Sequence, residues 1–212
     1  MKLLLILVVL ASNIVWGEWI EPPARSAKGY RVPTPDYVPV FPRDHGSHPE
    51  HGIEWWYWVG HLNAVDSGKK FGFQSTIFRL AGDPEKSGVT QSEPFGNQNL
   101  FLVHTALSDF EEEKYIHHER VMREGWQARS SEKTLSLTVG GVKVNLLEDE
   151  DGHKVVTRYP DGAKLELTFK PTKPLVSFGD RGLSRKGADP ASVSWYWSYT
   201  RLQAKGTLFQ NG

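Results

Sequence analysis

The residues best equipped for chemistry crowd into one stretch, Asp44-His45-Gly46-Ser47-His48-Pro49-Glu50-His51, followed at once by Glu54-Trp55-Trp56-Tyr57-Trp58. Three histidines at intervals of three, with Asp44 and Glu50 among them, make a candidate metal set: His45, His48 and His51 supply nitrogen donors and the carboxylates oxygen. Gly46 and Pro49 oppose a helix that would gather these side chains on one face, so a loop would have to wrap the ion. The spacing matches no established metal motif, and the plainer reading is a polar loop, without metal, packed on the tryptophan strand. Glu54 is a candidate of another kind. A carboxylate beside two tryptophans is costly to bury unless it is paired or protonated. A carboxylic acid kept neutral by apolar surroundings is what acid catalysis uses, which makes Glu54 the one candidate catalytic residue. Its natural partners are Arg79 and His104, each set in an otherwise greasy strand, and Arg201 ends another aromatic strand. Two readings stay open: these four polar residues face a ligand together, or each sits at a strand end or on an outer face.

Other motifs offer less. His117-His118-Glu119-Arg120 reads as an exposed strand after the acidic turn Glu111-Glu112-Glu113. Gly179-Asp180-Arg181-Gly182-Leu183-Ser184-Arg185-Lys186-Gly187 has the composition of an anion-binding loop, but it lacks the Gly-Lys-Ser/Thr ending of a phosphate cradle and no helix follows. Gly-x-Ser-x-Gly and His-Glu-x-x-His are both absent, so hydrolysis by those routes has no support.

The elements that must position these residues are strands. Ile53–Leu62, Phe71–Leu80, Leu100–Leu107 and Lys114–Val121 are apolar or aromatic runs separated by turn residues. Leu135, Leu137 and Val139 alternate, Gly140-Gly141 turns the chain, and Val142, Val144 and Leu146 resume the alternation. Asp151-Gly152 and Asp161-Gly162 turn it again, and Leu165, Leu167 and Phe169 close an antiparallel meander. Ser194–Leu202 (SWYWSYTRL) reads as one further strand, with another starting at Gly206. Two long loops, Ala81–Asn99 and Ser177–Ala191, have the composition of lids or binding loops. About ten or eleven short strands predict an all-β, antiparallel, lipocalin-like barrel or barrel-like sandwich, which can hold one small ligand. Trp55 or Trp56 is expected to line its interior.

The 212 residues carry 25 basic and 25 acidic side chains, a balance that argues against a nucleic-acid binder. Eight Trp, seven Tyr and ten Phe suit a greasy pocket with few polar handles, and no Cys rules out disulfides and thiolate metal sites. Residues 1–17, with Lys2 and the run Leu3–Leu10, read as a cleaved export signal that directs the chain to the periplasm or the cell exterior. Residues 18–43 are a Pro-rich extended lead-in, and 44–212 the β-domain. Asn211-Gly212 is a hairpin signal with no return strand, so the β-domain reads as cut at its C-terminal end, by natural truncation or as a fragment.

FPRDHGSHPEHGIEWWYWVGHL (Phe41–Leu62), FGFQSTIFR (Phe71–Arg79), LFLVHTALSD (Leu100–Asp109) and GDRGLSRKGADPASVSWYWSYTRL (Gly179–Leu202) resemble, in order and spacing, four blocks of the hydroxyneurosporene synthase or carotenoid 1,2-hydratase family, also called AttH-like and lipocalin-like. The resemblance implies two lipocalin-like β-domains, of which this chain holds the first. It also implies, for characterised members, cofactor-independent addition of water to an isolated C=C bond of a carotenoid. The family's catalytic acid belongs to the later half, so no catalytic residue carries over. The expectation is therefore an exported protein that binds an apolar small molecule, an isoprenoid or lipid, with no cofactor and a second β-domain as partner. Its ligand-binding candidates are Trp55, Trp56, Tyr57, Arg79, His104, Tyr196 and Arg201. A hydratase acting on an isoprenoid, or a secreted hydrolase, is the alternative.

Overall fold

The computed structural model describes residues 19–82, 99–148 and 152–210. The expected export signal lies outside them, as does most of the Ala81–Asn99 loop. Among the described residues the regular elements are antiparallel strands and one 3-10 turn, Arg43–His45. Four strands pair in sequence order as one sheet: β1 (Ile53–Asn63), β2 (Lys70–Leu80), β3 (Leu100–Asp109) and β4 (Lys114–Arg123). Six form a second sheet: β5 (Ala128–Ser130), β6 (Ser136–Val139), β7 (Val142–Leu146), β8 (His153–Arg158), β9 (Lys164–Pro171) and β14 (Leu202–Phe209), with β14 beside β9. Between β9 and β14 the chain makes two short ribbons. In one β10 (Leu175–Ser177) pairs with β13 (Trp197–Tyr199), and in the other β11 (Leu183–Arg185) pairs with β12 (Val193–Trp195).

Period two decides the packing. In β2 and β3 the odd-numbered side chains are buried, among them Phe73, Ile77, Phe101, Val103 and Leu107. In the second sheet Leu137, Val139, Val142, Val144, Val155, Leu165, Leu167 and Phe169 turn the same way, toward the first sheet. The faces meet through Phe73 stacked on Phe169, with ring centroids 5.9 Å apart. They also meet through a buried hydroxyl pair, Ser75 Oγ and Thr157 Oγ1, at 2.6 Å. Among the described residues no barrel closes: the two sheets face each other as a sandwich, with one continuous apolar core between them. The β6–β7 hairpin needs its two glycines. Both have positive φ, 54° at Gly140 and 99° at Gly141, as a tight two-residue turn requires. A Cβ on Gly140 would also come within 2.9 Å of Val103 on the opposite sheet.

One expectation fails in detail. Ser194–Leu202 is not a single strand but β12, β13 and the first residue of β14, with a break at Tyr196. The cause lies in the partner. Gly179, Arg181 and Gly182 all adopt positive φ, which divides the partner chain into β10 and β11. The ladder divides with it, and the Tyr196 carbonyl accepts from the Phe178 N–H instead. The supposed loop Ser177–Ala191 accordingly contains β11.

Candidate functional site

β1 is an edge strand of the first sheet, and its free edge is where the lead-in and the two ribbons gather. Even-numbered β1 residues turn toward the inter-sheet core: Trp58 belongs to it and Trp56 packs against it. Odd-numbered residues turn to the other face, where Trp55 and Tyr57 lie against Tyr196, each with ring centroids 6.5 Å away. A cavity of about 810 Å³ is lined by residues of both faces, so it wraps around the edge. Its wall is largely aromatic. Trp195 stacks on Tyr37 (4.1 Å) and on Trp197 (6.1 Å), and Phe178 stacks on Tyr196 (4.9 Å). Polar handles are few. Tyr57 Oη donates to Ser198 Oγ at 2.9 Å and lies 3.2 Å from Tyr196 Oη. At the rim the Lys186 ammonium sits 4.6 Å over the Tyr196 ring and 5.3 Å over Trp55.

The dense histidine motif lies behind this wall as an ion cluster. Glu54 and Arg79 are register partners on neighbouring strands, and Arg79 Nε donates to Glu54 Oε1. Arg79 also donates to Asn99 Oδ1 and to the carbonyls of His48 and His51. His48 bridges two carboxylates, Nδ1 to Glu54 at 3.1 Å and Nε2 to Asp44 at 3.2 Å. Asp44 further accepts from Tyr37 Oη and the Val40 N–H. Burial alone would raise Glu54, but hydrogen bonds from His48 and the Arg79 charge outweigh it and hold the carboxyl below its ordinary value. Asp44 is held down likewise: the Val40 N–H, Tyr37 and His48 outweigh its burial. His48 is raised, because the two carboxylates outweigh its own burial. The cluster is thus a charged Asp44–His48–Glu54–Arg79 chain, and Glu54 at neutral pH is a carboxylate rather than a proton donor.

The three motif histidines do not converge. His51 Nδ1 donates to the Arg31 carbonyl at 2.7 Å, whereas the His45 ring stacks on Phe41 at 4.0 Å. Among the described residues no group of three His, Asp or Glu side chains is placed to hold a metal. Of the ligand-binding candidates, the cavity is lined by Trp55, Trp56, Tyr57 and Tyr196. The other three lie elsewhere. Arg79 is 1% exposed behind Glu54, with its donors committed. His104 is on the outer face of the first sheet, 3.3 Å from Glu119, because even-numbered β3 residues point away from the core. Arg201 is exposed beside the start of β14.

Sequence reasoning passed over His153 and Tyr199, which line the cavity from the side of the second sheet. The His153 ring is 5.5 Å from His45 and 6.0 Å from Tyr199. Burial pushes both histidines down to about 4, helped at His153 by the neighbouring His45, so both are neutral at pH 7. The available signal was period two: Val155 and Thr157 are inward, so His153 is too.

Fold and site together define a two-sheet antiparallel protein with an aromatic, ligand-sized cavity at a free sheet edge. The chain belongs to the AttH-like family, whose model matches residues 32–212. It is similar to the crystal structure of an AttH candidate from Nitrosomonas europaea, with 30% identity and a TM-score of 0.67, over 81% of this chain and 50% of that one. It therefore spans about half the length of that relative. Comparison with curated proteins gives no match.

Proposed function

We propose that this chain is an exported, lipocalin-like binder of an apolar small molecule, an isoprenoid or a lipid. The observation that carries the reading is the cavity of about 810 Å³ walled by Trp55, Tyr57, Trp195, Tyr196 and Trp197. That volume lies in the range of small-molecule sites, which are mostly apolar with a few placed polar groups. The reading extends to export through residues 1–17 and to the isoprenoid-directed branch of the family that the four sequence blocks resemble. Hydration of a C=C bond would need a protonated acid. Asp44 and Glu54 are the carboxylates that line this cavity among the described residues, and both are held ionised. Binding is therefore preferred to hydratase or hydrolase chemistry, and it asks for no cofactor.

A second β-domain in the full-length protein fits the outer face of the first sheet. Ile53, Leu80 and Leu100 are register neighbours there and form one exposed apolar row across three strands, a feature that suits an interface. The relative's doubled length supplies room for such a domain.

The test is native mass spectrometry for copurifying lipid, joined to quenching of tryptophan fluorescence by isoprenoid and fatty-acyl probes. Tyr196→Ala should weaken binding by roughly tenfold or more with little change in the denaturation midpoint, since Tyr196 faces the cavity rather than the core. Neither copurifying lipid nor quenching by any probe would overturn the reading.

A further inference from the structure

The wall of the cavity is not uniformly greasy. On the side of the second sheet, His45, His153 and Tyr199 bring three polar groups together, with His45 and His153 rings 5.5 Å apart and Tyr199 6.4 Å and 6.0 Å from them. Their surroundings are apolar: Phe41 stacks on His45, and Trp58 meets His153 edge to face at 6.2 Å. Among the described residues none of these three side chains makes a hydrogen bond. His153 is 7% exposed, and its Nδ1 is sealed without a partner. Nε2 is therefore the ring nitrogen left to meet a molecule in the cavity.

A buried polar group without a partner is unfavourable, and folded chains rarely keep one without a use for it. The sealed nitrogen is that of His153 alone, and part-buried His45 and Tyr199 stand beside it in the same cavity, likewise without a hydrogen bond among the described residues. A phenylalanine at His153 would fill similar space without that penalty. The charge state narrows the complement. Both imidazoles are neutral at pH 7, so each offers one N–H and one lone pair, and Tyr199 adds a hydroxyl whose ionisation burial suppresses. Such a set has no net charge with which to hold a carboxylate or phosphate. It suits a neutral oxygen that donates and accepts, or accepts only.

We propose that His45, His153 and Tyr199 form a polar subsite that recognises a neutral hydroxyl or carbonyl on an otherwise apolar ligand. The occupant is thus an oxygenated lipid or isoprenoid, not a bare hydrocarbon and not one held there by an anionic head. This rests on the cavity being a ligand site at all, and the experiment separates the two claims.

Tryptophan quenching is measured with farnesol and with its hydrocarbon counterpart farnesene, on the wild-type chain, His153→Phe and Tyr199→Phe. The expected result is a preference of roughly tenfold or more for the alcohol in the wild type. That preference should shrink toward one in both variants. Tyr199→Phe deletes a single oxygen from a half-buried ring, so it keeps the test decisive if His153→Phe folds poorly. Equal binding of the two probes, or a preference that survives both substitutions, overturns the subsite and leaves the cavity reading standing. Failure of both probes to bind overturns the subsite, and it overturns the cavity reading as well when no fatty-acyl probe binds and no lipid copurifies.

Discussion

His48 and His153 are almost equally buried, at 9% and 7% exposure, and both border the same cavity, yet their chemistry is opposite. His48 stands between Asp44 and Glu54, and the two carboxylates hold its proton on. His153 stands among the rings of His45, Trp58 and Tyr199, and nothing there offsets the cost of charging it. Burial does not assign a histidine its role; the partners it meets there do. One region is a charged clamp that ties the lead-in loop to β1 and β2. The other is a neutral, unpaired polar patch left open to a ligand.

The sharpest way to break this contrast is Arg79→Met. It would leave Glu54 with one cation instead of two, and the His48 and His51 carbonyls without their shared donor. Removing one member of a buried ionic network costs about 3–5 kcal/mol. Urea denaturation should show a loss of that order at an unchanged m-value. A loss below about 1 kcal/mol would mean that the cluster is ornament rather than clamp.

Acidification probes both regions at once. His45 and His153 have folded values of about 4, below the ordinary 6.5. Below pH 6.5 the unfolded chain binds protons that the folded chain refuses, so stability falls from about pH 6.5 to 4 and then levels. The limit is about 3 kcal/mol for His153, less for the part-buried His45. Asp44 and Glu54, both lowered, add loss as pH drops through their folded values. His48 has the opposite sign: its contribution is complete below 6.5 and is lost as pH rises through its raised folded value. His153→Phe should therefore flatten the slope between pH 6.5 and 4, measured as denaturation midpoint against pH. A slope unmoved by that change would mean that His153 titrates normally.

Asp44→Asn should cost less than Arg79→Met, about 1–3 kcal/mol. The amide oxygen can still accept from Tyr37 and Val40, and what is lost is the charge facing His48. Its distinctive mark is a downward shift of the His48 titration in NMR, which a merely local packing defect would not produce.

The clamp is partly legible in the sequence. Glu54 and Arg79 are charged residues inside greasy strands, and two such residues in adjacent strands need each other. His104 sits in an equally greasy strand and looks the same on paper. It falls on the other face because β2 and β3 pair Thr76 with His104 and Arg79 with Phe101, and that register is set by the whole ladder rather than by local sequence. The meander from Leu135 to Phe169 was readable because its alternation and its Gly-Gly and Asp-Gly turns agree. The break at Tyr196 was not, because it originates in a partner segment some fifteen residues earlier.

The smallest expected effect is the most telling one. His153→Phe replaces a buried ring that makes no hydrogen bond with an apolar ring of similar size, in surroundings already aromatic. Relief of the orphaned Nδ1 and the slightly poorer fit of a six-membered ring oppose each other, so the change in stability at pH 7 should stay within about 1 kcal/mol. That near-neutrality is what separates the two histidines, because the same exchange at His48 strips a cation from between two carboxylates. Denaturation of both variants side by side measures the difference. If His153→Phe proved as damaging as His48→Phe, the ring would hold a structural partner, and the polar patch would belong to the core rather than to the cavity.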